Sequence, residues 1–403
     1  MEGLTRDEQA VLAVAAAAPM LAEVQAWSAI NSGSRNLDGL AKMAAIYADA
    51  FSALPGGLTL KDPAPVEAMD ADGTLRALAH GQNLHLRVRP EAPVQLLFTG
   101  HMDTVFAADH PFQTVFWREE GVLGGPGVAD MKGGIAVLLA ALKAVEASPA
   151  ATQYGYEVVI NSDEEVGSPG SAALIAEAAR GKKAALTYEP SALPDGTLAG
   201  ARPGSGNFSL HVTGRSAHAG RNPEDGRNAL LAAAALALRL AEAKSPGLSV
   251  NPAKIDGGSP NNVVPEHAIL RINMRPASPE DQARAQAAID AAVAEITARH
   301  DVTIHVHGGF GRPPKPLDVK ALALFSLVKR CGADLGQHIA WRATGGVCDG
   351  NNIAACGVPV VDTMGVRGGA IHSSDEYLCT DSLIERAQLS ALTILRLAAG
   401  EGL

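Results

Sequence analysis

Five short polar segments, each following an apolar strand-like run, constrain this chain more than any other feature. Each places a histidine or a carboxylate where a strand would end, and the segments are residues 100–105, 130–134, 163–165, 188–191 and 371–373. Together they supply two imidazoles and three carboxylates, which is a full ligand set for two adjacent divalent metals. Two further carboxylates, Asp103 and Glu164, remain for proton transfer. The chain must therefore fold so that side chains far apart in sequence converge on one centre.

Length and composition narrow the class of protein. A chain of 403 residues is long enough for about two to three domains. A hydrophobic content of 47% and a charged content of 19% are ordinary for a soluble globular protein. The net charge of −10, with no Lys/Arg-rich tract, argues against nucleic acid as a partner.

The N-terminal apolar stretch and the cysteines bear on location. The stretch from Val11 to Val24 follows Asp7 and Glu8 and is interrupted by Pro19, so we interpret it as the first helix and not as an export signal. No apolar run reaches membrane-spanning length without a glycine, proline or charge, so we expect no membrane association. The cysteines form no C-x-x-C pair, which predicts reduced thiols in a cytoplasmic protein; they are Cys331, Cys348, Cys356 and Cys379.

The order of strand-like and helix-like segments predicts the architecture. The first part alternates strands and helices, as in an α/β sheet with helices on both faces. After about residue 200 the order becomes strand, helix, two strands, helix, strand, which is ferredoxin-like; the segments are 207–214, 228–243, 248–250, 268–275, 279–299 and 302–307. We predict an α/β fold with a discontinuous first domain (1–202 and 313–403), a mixed sheet flanked by helices, interrupted by an inserted ferredoxin-like α+β domain (203–312).

The first two segments leave alternatives open when each is taken alone. His101 and Asp103 are two apart on an extended segment and can face one site, where Asp103 either fixes the imidazole or orients another group. Asp130 lies between a glycine-rich loop and a helix, which also suits an N-cap. As a bridging ligand its two oxygens could span cations about 3.5–4 Å apart. A phosphate-binding loop is excluded because Gly-Lys-Ser/Thr does not follow the glycines.

The run Asp163-Glu164-Glu165 is the most specific of the five. Three consecutive carboxylates repel one another, so water or cations must offset their charge. With Glu165 on a metal, Glu164 would lie beside the attacking water and could pass its proton to a leaving amine. Glu189 and His372, each after a strand-like run, complete the candidate set.

In this arrangement the chain resembles the M20 metallopeptidase family, the group of glutamate carboxypeptidases, acetylornithine deacetylases, succinyl-diaminopimelate desuccinylases and aminoacylases. The motif-bearing segments, including residues 345–351, are most similar to the glutamate-carboxypeptidase-like branch. The resemblance implies that His101, Asp130 and Glu189 hold one zinc ion. It implies that the second zinc ion is held by Asp130, Glu165 and His372, with cobalt or manganese as substitutes.

The same resemblance assigns roles around the metals. It implies that Glu164 is the general base, that Asp103 supports His101, and that the Asp130–Met131 peptide bond is cis. The reaction it implies is hydrolysis of a peptide or amide bond adjacent to a free carboxylate by zinc-activated hydroxide. An N-acyl-amino-acid deacylase with the same metals is the main alternative, and a non-catalytic binding protein on the same fold is the other.

The inserted domain resembles the family's lid and dimerisation domain. His218, in the segment 214–220, matches the histidine that would reach the partner subunit's active site and stabilise the oxyanion, which implies a homodimer. Asn262 and Arg275 match positions that contact the substrate carboxylate, although the family often has aspartate where this chain has Asn273. Gly345 and Gly346 match the backbone loop that lines the substrate pocket. The implied substrate is a small peptide or an N-acyl amino acid.

Overall fold

The computed structural model of the chain describes residues 3–402. Within them the α-helices are α1 (Arg6–Ala16), α2 (Met20–Ser28), α3 (Leu37–Phe51), α4 (Gly133–Glu146), α5 (Ala172–Ala179), α6 (Ala229–Ala241), α7 (Pro279–His300), α8 (Val319–Asp334), α9 (Asp349–Ala355) and α10 (Asp381–Ala398). The strands are β1 (Gly57–Lys61), β2 (Glu67–Met69), β3 (Leu75–Ala77), β4 (Asn83–Val88), β5 (Val94–His101), β6 (Phe116–Glu119), β7 (Val122–Gly124), β8 (Tyr154–Asn161), β9 (Ala184–Thr187), β10 (Leu198–Ala199), β11 (Ser205–Thr213), β12 (Leu248–Gly257), β13 (His267–Pro276), β14 (Thr303–Arg312), β15 (Trp341–Arg342), β16 (Val360–Val361), β17 (Gly368–Gly369) and β18 (Tyr377–Cys379).

The largest sheet is mixed, as the sequence predicts. Its strand order is β1-β4-β8-β5-β9-β16, with β8, β5, β9 and β16 parallel to one another and β4 antiparallel to β8. Neighbouring residues of β5 point to opposite faces. Leu96 and Phe98 pack into the core that contains α4, whereas Leu97 packs with residues of α5 and α9. The sheet therefore has helices on both faces.

The N-terminal apolar segment differs in one respect from its prediction. The single predicted helix is two helices, α1 and α2, because Pro19 ends the first and precedes the second. The segment Arg6–Ser28 is long and apolar enough to span a membrane by length and composition alone. In the structure Val11, Val24 and Trp27 are buried in the main core.

The segment from Ser205 to Arg312 forms a second sheet with a core of its own. Its strand order is β12-β13-β11-β14, all antiparallel, and the chain order β11-α6-β12-β13-α7-β14 is ferredoxin-like. The core residues include Leu210, Leu236, Ile272 and Ile289. We retain the boundaries at residues 202/203 and 312/313 as a proposal.

Two strands of this second sheet are longer than predicted, and both are edge strands. The predicted strand 248–250 continues to Gly257, since Pro252 lies at a register shift in an edge strand, where a missing N–H is tolerated. The predicted strand 302–307 continues to Arg312 through three glycines. In both cases the predicted strand ended too early, because a proline or a glycine was taken as its end. The extension matters because Arg312 is thereby the last residue of β14.

Candidate metal centre

Three neighbouring parallel strands bring four of the predicted residues to one edge of the main sheet. His101 is the last residue of β5, Glu164 and Glu165 follow β8, and Glu189 follows β9. The order β8-β5-β9 places the carboxyl ends of these strands side by side. The short apolar runs are buried strands, so the polar residues after them emerge at a common rim.

Asp130 lies between the two histidines. Its Oδ1 is 3.2 Å from His101 Nε2, and its Oδ2 is 3.2 Å from His372 Nε2. Glu165 Oε2 is 3.1 Å from His372 Nε2 on one side, and Glu189 Oε2 is 3.7 Å from His101 Nε2 on the other. The structure thus brings together all five of the residues predicted as metal ligands.

These separations fit a metal centre. Atoms bound to zinc at roughly 2.0–2.1 Å in tetrahedral geometry lie about 3.3 Å from one another. The donor atoms of His101, Asp130 and Glu165 all lie within 4.8 Å of one another, as do those of His101, Glu164 and Glu189. Imidazole and carboxylate donors are those that zinc, cobalt and manganese accept.

The charges of the cluster also favour a bound cation. Burial raises the pKa of Glu164 and of Glu189 to about 8, and that of Glu165 to about 7. Burial acts in the same direction on Asp130, but hydrogen bonds from His101 and His372 outweigh it and lower the pKa of that carboxyl. Crowded, poorly solvated carboxylates of this kind are stabilised in their charged form by a divalent cation.

Asp103 contacts both His101 and the backbone of the neighbouring acidic residues Glu164 and Glu165. The Nδ1–H of His101 donates to the backbone carbonyl of Asp103 at 2.9 Å, while the Asp103 carboxylate is 3.4 Å from Nδ1. That carboxylate accepts the backbone N–H of Glu164 at 3.1 Å, the N–H of Glu165 at 3.2 Å and the Ser34 hydroxyl at 2.7 Å. Asp103 therefore holds the backbone of the neighbouring acidic residues, which the sequence did not indicate.

The backbone at Asp130 has two notable features. The Asp130–Met131 peptide bond is cis, as the family resemblance implies. Helix α4 begins only at Gly133, so the interpretation of Asp130 as its N-cap is wrong.

The buried carboxylate of Glu376 accepts the N–H groups of Gly127, Ala129 and Asp130 at 3.0–3.1 Å. Sequence reasoning missed Glu376, although its place four residues after His372 puts it in the same loop.

A cavity of about 560 Å³ lies between the cluster and the inserted sheet. Its lining includes Glu164, Glu165 and His372 of the cluster, Asn273 and Arg275 of β13, and Gly346 of the loop before α9. Arg275 donates to Asn273 Oδ1 at 3.1 Å and to the carbonyl of Gly345 at 3.1 Å. Asn273 is thus a direct partner of the arginine.

Two predicted site residues lie elsewhere in this chain. His218 and Asn262 are exposed, and neither lines the cavity beside the candidate ligands. The ring Nδ1 of His218 accepts the backbone N–H of Gly220 at 3.1 Å, and the carbonyl of Asn262 accepts that of Ala219 at 2.9 Å. These residues therefore lie together in a loop region of the inserted domain.

Cys348 lies near the candidate metal centre, but its surroundings do not favour a reactive thiolate. It belongs to a second cavity of about 240 Å³, whose lining also includes Glu189 and Arg202. The side chain is buried, its sulfur is 3.4 Å from Asp362 Oδ2, and burial raises the pKa of the thiol. A buried neutral thiol is a packing group.

Known proteins are similar to this chain in sequence and in fold. Carboxypeptidase G2 from Pseudomonas sp. (strain RS-16) is 32% identical over 340 residues, covering 80% of this chain and 79% of that protein. A succinyl-diaminopimelate desuccinylase from Psychrobacter arcticus is 29% identical over 338 residues, covering 77% and 80%. A tripeptidase structure from Staphylococcus aureus superposes with a TM-score of 0.70 at 22% identity, covering 98% of this chain and 99% of that one, which shows the fold alone.

The family assignment follows from these similarities together with one further match. The sequence profile described as "Peptidase family M20/M25/M40" matches residues 97–396, which contain every candidate ligand. The match spans well over half of the chain and agrees with the identity to carboxypeptidase G2 over most of its length. The chain is a hydrolytic enzyme that belongs to peptidase family M20/M25/M40.

Proposed function

We propose that this protein is a di-zinc hydrolase that cleaves a peptide or amide bond next to a free carboxylate, in the manner of a glutamate carboxypeptidase. The observation that carries the proposal is Asp130, placed between two imidazoles 3.2 Å away on either side. A carboxylate in that position can bridge two cations, with Glu189 and Glu165 as the outer ligands. Bound zinc would supply Lewis acidity, which makes water a nucleophile near neutral pH and polarises the carbonyl.

Glu164 is the proposed general base. It lines both cavities beside the cluster, and its carboxylate lies close to the donor atoms of His101 and Glu189. Because Glu165 and Glu189 are the proposed outer ligands, Glu164 remains free to move a proton. From there its carboxylate can take the proton from the attacking water and return it to the leaving amine.

Arg275 is the proposed anchor for the free carboxylate of the substrate. Its guanidinium faces the same cavity as Glu164, and the Asn273 and Gly345 oxygens hold it in place. A planar, permanently charged guanidinium can bind a carboxylate with two parallel hydrogen bonds. The distance from this anchor to the cluster would set which bond is presented for cleavage.

Replacing the base tests the mechanism. We expect Glu164→Gln to lower kcat by about 10²–10⁴-fold while the zinc content stays at that of the wild type, because the outer ligands are intact. The exposed Glu177 of α5 provides a matched control, Glu177→Gln. Turnover and bound zinc should be measured on the same preparations. Full turnover by Glu164→Gln would refute the role of the base.

The similarity to desuccinylases favours a second candidate, an N-acyl-amino-acid deacylase. Both reactions place an amide bond beside a carboxylate, so the metal centre does not distinguish them. A panel of N-acetyl and N-succinyl amino acids against peptides that end in glutamate would separate the two through kcat/KM. A purified protein that holds no zinc, and hydrolyses nothing when zinc is added, would instead indicate a binding protein.

We further propose that the active form is a homodimer joined through the inserted domain, with His218 acting in the partner's site. His218 is exposed and does not line either cavity beside its own cluster, and Leu231 and Leu238 of α6 are 61% and 72% exposed on the same domain. Mixing His218→Ala subunits with Glu164→Ala subunits should restore activity, since each mixed dimer contains one complete site. Mixtures as inactive as the separate variants would refute the exchange.

A cytoplasmic location completes the proposal. All four cysteines are free thiols, as expected in a reducing compartment.

A further inference from the structure

Arg312, the last residue of β14, connects the inserted sheet to the proposed base. Its side chain is almost completely buried, with 3% of the residue exposed. The guanidinium Nη2 donates to Glu164 Oε1 at 2.7 Å and to the Glu164 backbone carbonyl at 3.1 Å. Arg312 therefore touches both the side chain and the backbone of the residue that moves the proton.

The other edge of the guanidinium is anchored to helix α9. Nη1 donates to the carboxylate of Asp349 and, at 2.7 Å, to Asn352 Oδ1. Asp349 is itself held by Asn161 Nδ2 at 2.7 Å and by the Ser168 hydroxyl at 2.6 Å. The arginine consequently has little freedom to change its direction.

This contact distinguishes the two oxygens of Glu164. Oε1 accepts from Arg312, whereas no residue in the described range 3–402 hydrogen-bonds to Oε2. Glu164 lines the cavity that also contains Arg275. Oε2 is thus the oxygen available to take a proton from a group in the cavity.

We propose that Arg312 is a positioning residue that fixes the carboxylate of Glu164 with Oε2 turned toward the substrate. The inference rests on Glu164 acting as the base. Because Arg312 ends the lid strand β14, it also ties the orientation of the base to the position of the inserted domain. A lysine cannot reproduce this geometry, since it lacks the planar fork that reaches Glu164 and Asp349 together.

A purely structural ion pair between the two parts of the chain would behave differently. Its loss would lower the stability or the zinc content of the protein. Activity would then fall only in proportion to the fraction of enzyme that is folded and holds zinc. A positioning role lowers kcat in folded, zinc-loaded enzyme and leaves KM nearly unchanged, because the substrate anchor Arg275 is a separate residue. The split between kcat and KM therefore separates the two explanations.

The experiment uses full-length protein reconstituted with zinc. We expect Arg312→Ala to lower kcat by about 100-fold, the order expected for a misplaced reacting group, with KM and zinc content within about threefold of the wild type. Guanidinium added at millimolar concentration should restore part of kcat, since it can occupy the vacated space. Arg312→Lys should fall between the wild type and Arg312→Ala.

Removing the arginine leaves Asp349 buried without its cation, so Arg312→Ala can fail to fold. In that event Arg312→Gln combined with Asp349→Asn keeps the pair neutral, and Asn161 Oδ1, which has no hydrogen-bond partner among residues 3–402, can accept a hydrogen bond from the new amide. The double variant should show the same loss of kcat. The control Arg330→Ala removes an exposed arginine of α8 whose guanidinium lies 3.7 Å from the carboxylate of Glu401, and it should leave kcat unchanged.

The outcomes separate this inference from the proposed function. Inactive Glu164→Gln together with kcat within threefold of wild type in folded, zinc-loaded Arg312 variants would overturn the positioning role alone. The same holds if guanidinium fails to raise kcat of folded Arg312→Ala. Active Glu164→Gln would overturn the base assignment itself.

Discussion

Glu376 supports the sharpest prediction about the metal centre. The residue is 1% exposed, and its carboxylate accepts three backbone N–H groups, those of Gly127, Ala129 and Asp130, from the segment that holds the proposed bridging ligand. The loop bearing His372 is thereby connected to the loop bearing Asp130. Substitution Glu376→Gln preserves the size of the side chain and removes one acceptor oxygen together with the charge.

The size of the effect follows from the contacts. A hydrogen bond to a charged acceptor contributes about 1.5–3 kcal/mol. The amide would place an NH₂ group against either the Gly127 N–H or the N–H pair of Ala129 and Asp130, so at least one bond is lost and the others weaken. We expect the free energy of unfolding of the metal-free protein to fall by about 3 kcal/mol. Looser support of a ligand typically lowers metal affinity by about 10–100-fold, and we expect a loss of that order.

Two measurements check this expectation. Urea unfolding of the metal-free protein gives the stability change, and competition with a chromophoric chelator gives the zinc affinity. The matched control is Asp375→Asn, because the neighbouring Asp375 side chain is 80% exposed and its carboxylate lies 3.9 Å from Arg118. If Glu376→Gln unfolds and binds zinc as Asp375→Asn does, the anchoring role of Glu376 is wrong.

Two further predictions concern the metal and a close backbone contact. Removing zinc with a chelator should lower the urea midpoint, because ligand at about 100 times its Kd stabilises the folded state by about 2.7 kcal/mol; a midpoint that neither falls with chelator nor returns with zinc would contradict the proposed centre. Gly134→Ala should destabilise the fold by about 1–3 kcal/mol, since a Cβ there would lie 2.0 Å from the Tyr188 carbonyl oxygen, next to Glu189. Gly57→Ala is the control because nothing lies within 4 Å of its Cβ position, and equal stability of the two variants would rule out the clash.

The elements of the fold were largely predictable because local patterns determine them. Buried strands such as β5 are short apolar runs, and α7 begins after Ser278, whose side chain caps the helix. The predicted ends of β12 and β14 were wrong because proline and glycine were interpreted as residues that end a strand. Pro252 lies in an edge strand, whose exposed side needs no donor, and the local signal does not reveal which strand is at an edge.

The convergence of the candidate ligands could be predicted for a different reason. Metal chemistry requires particular side chains, and His101, Asp130, Glu165, Glu189 and His372 stand in recognisable short motifs. The residues that support these ligands by hydrogen bonds do not need a particular motif. Glu376 binds backbone N–H groups nearly 250 positions away, and any segment could supply an acceptor there.

The residue types in the chain were enough to indicate the proposed chemistry of the centre, namely which side chains could hold cations and which carboxylate could move the proton. The way in which those groups are held depends on the packing of distant segments, which places Arg312 beside Glu164, Asp103 beneath the acidic loop and Glu376 behind Asp130. This difference arises because metal ligands are selected by residue type, which can be read from the sequence. A hydrogen bond that orients a ligand depends on direction and distance, and these exist only once distant segments have packed together.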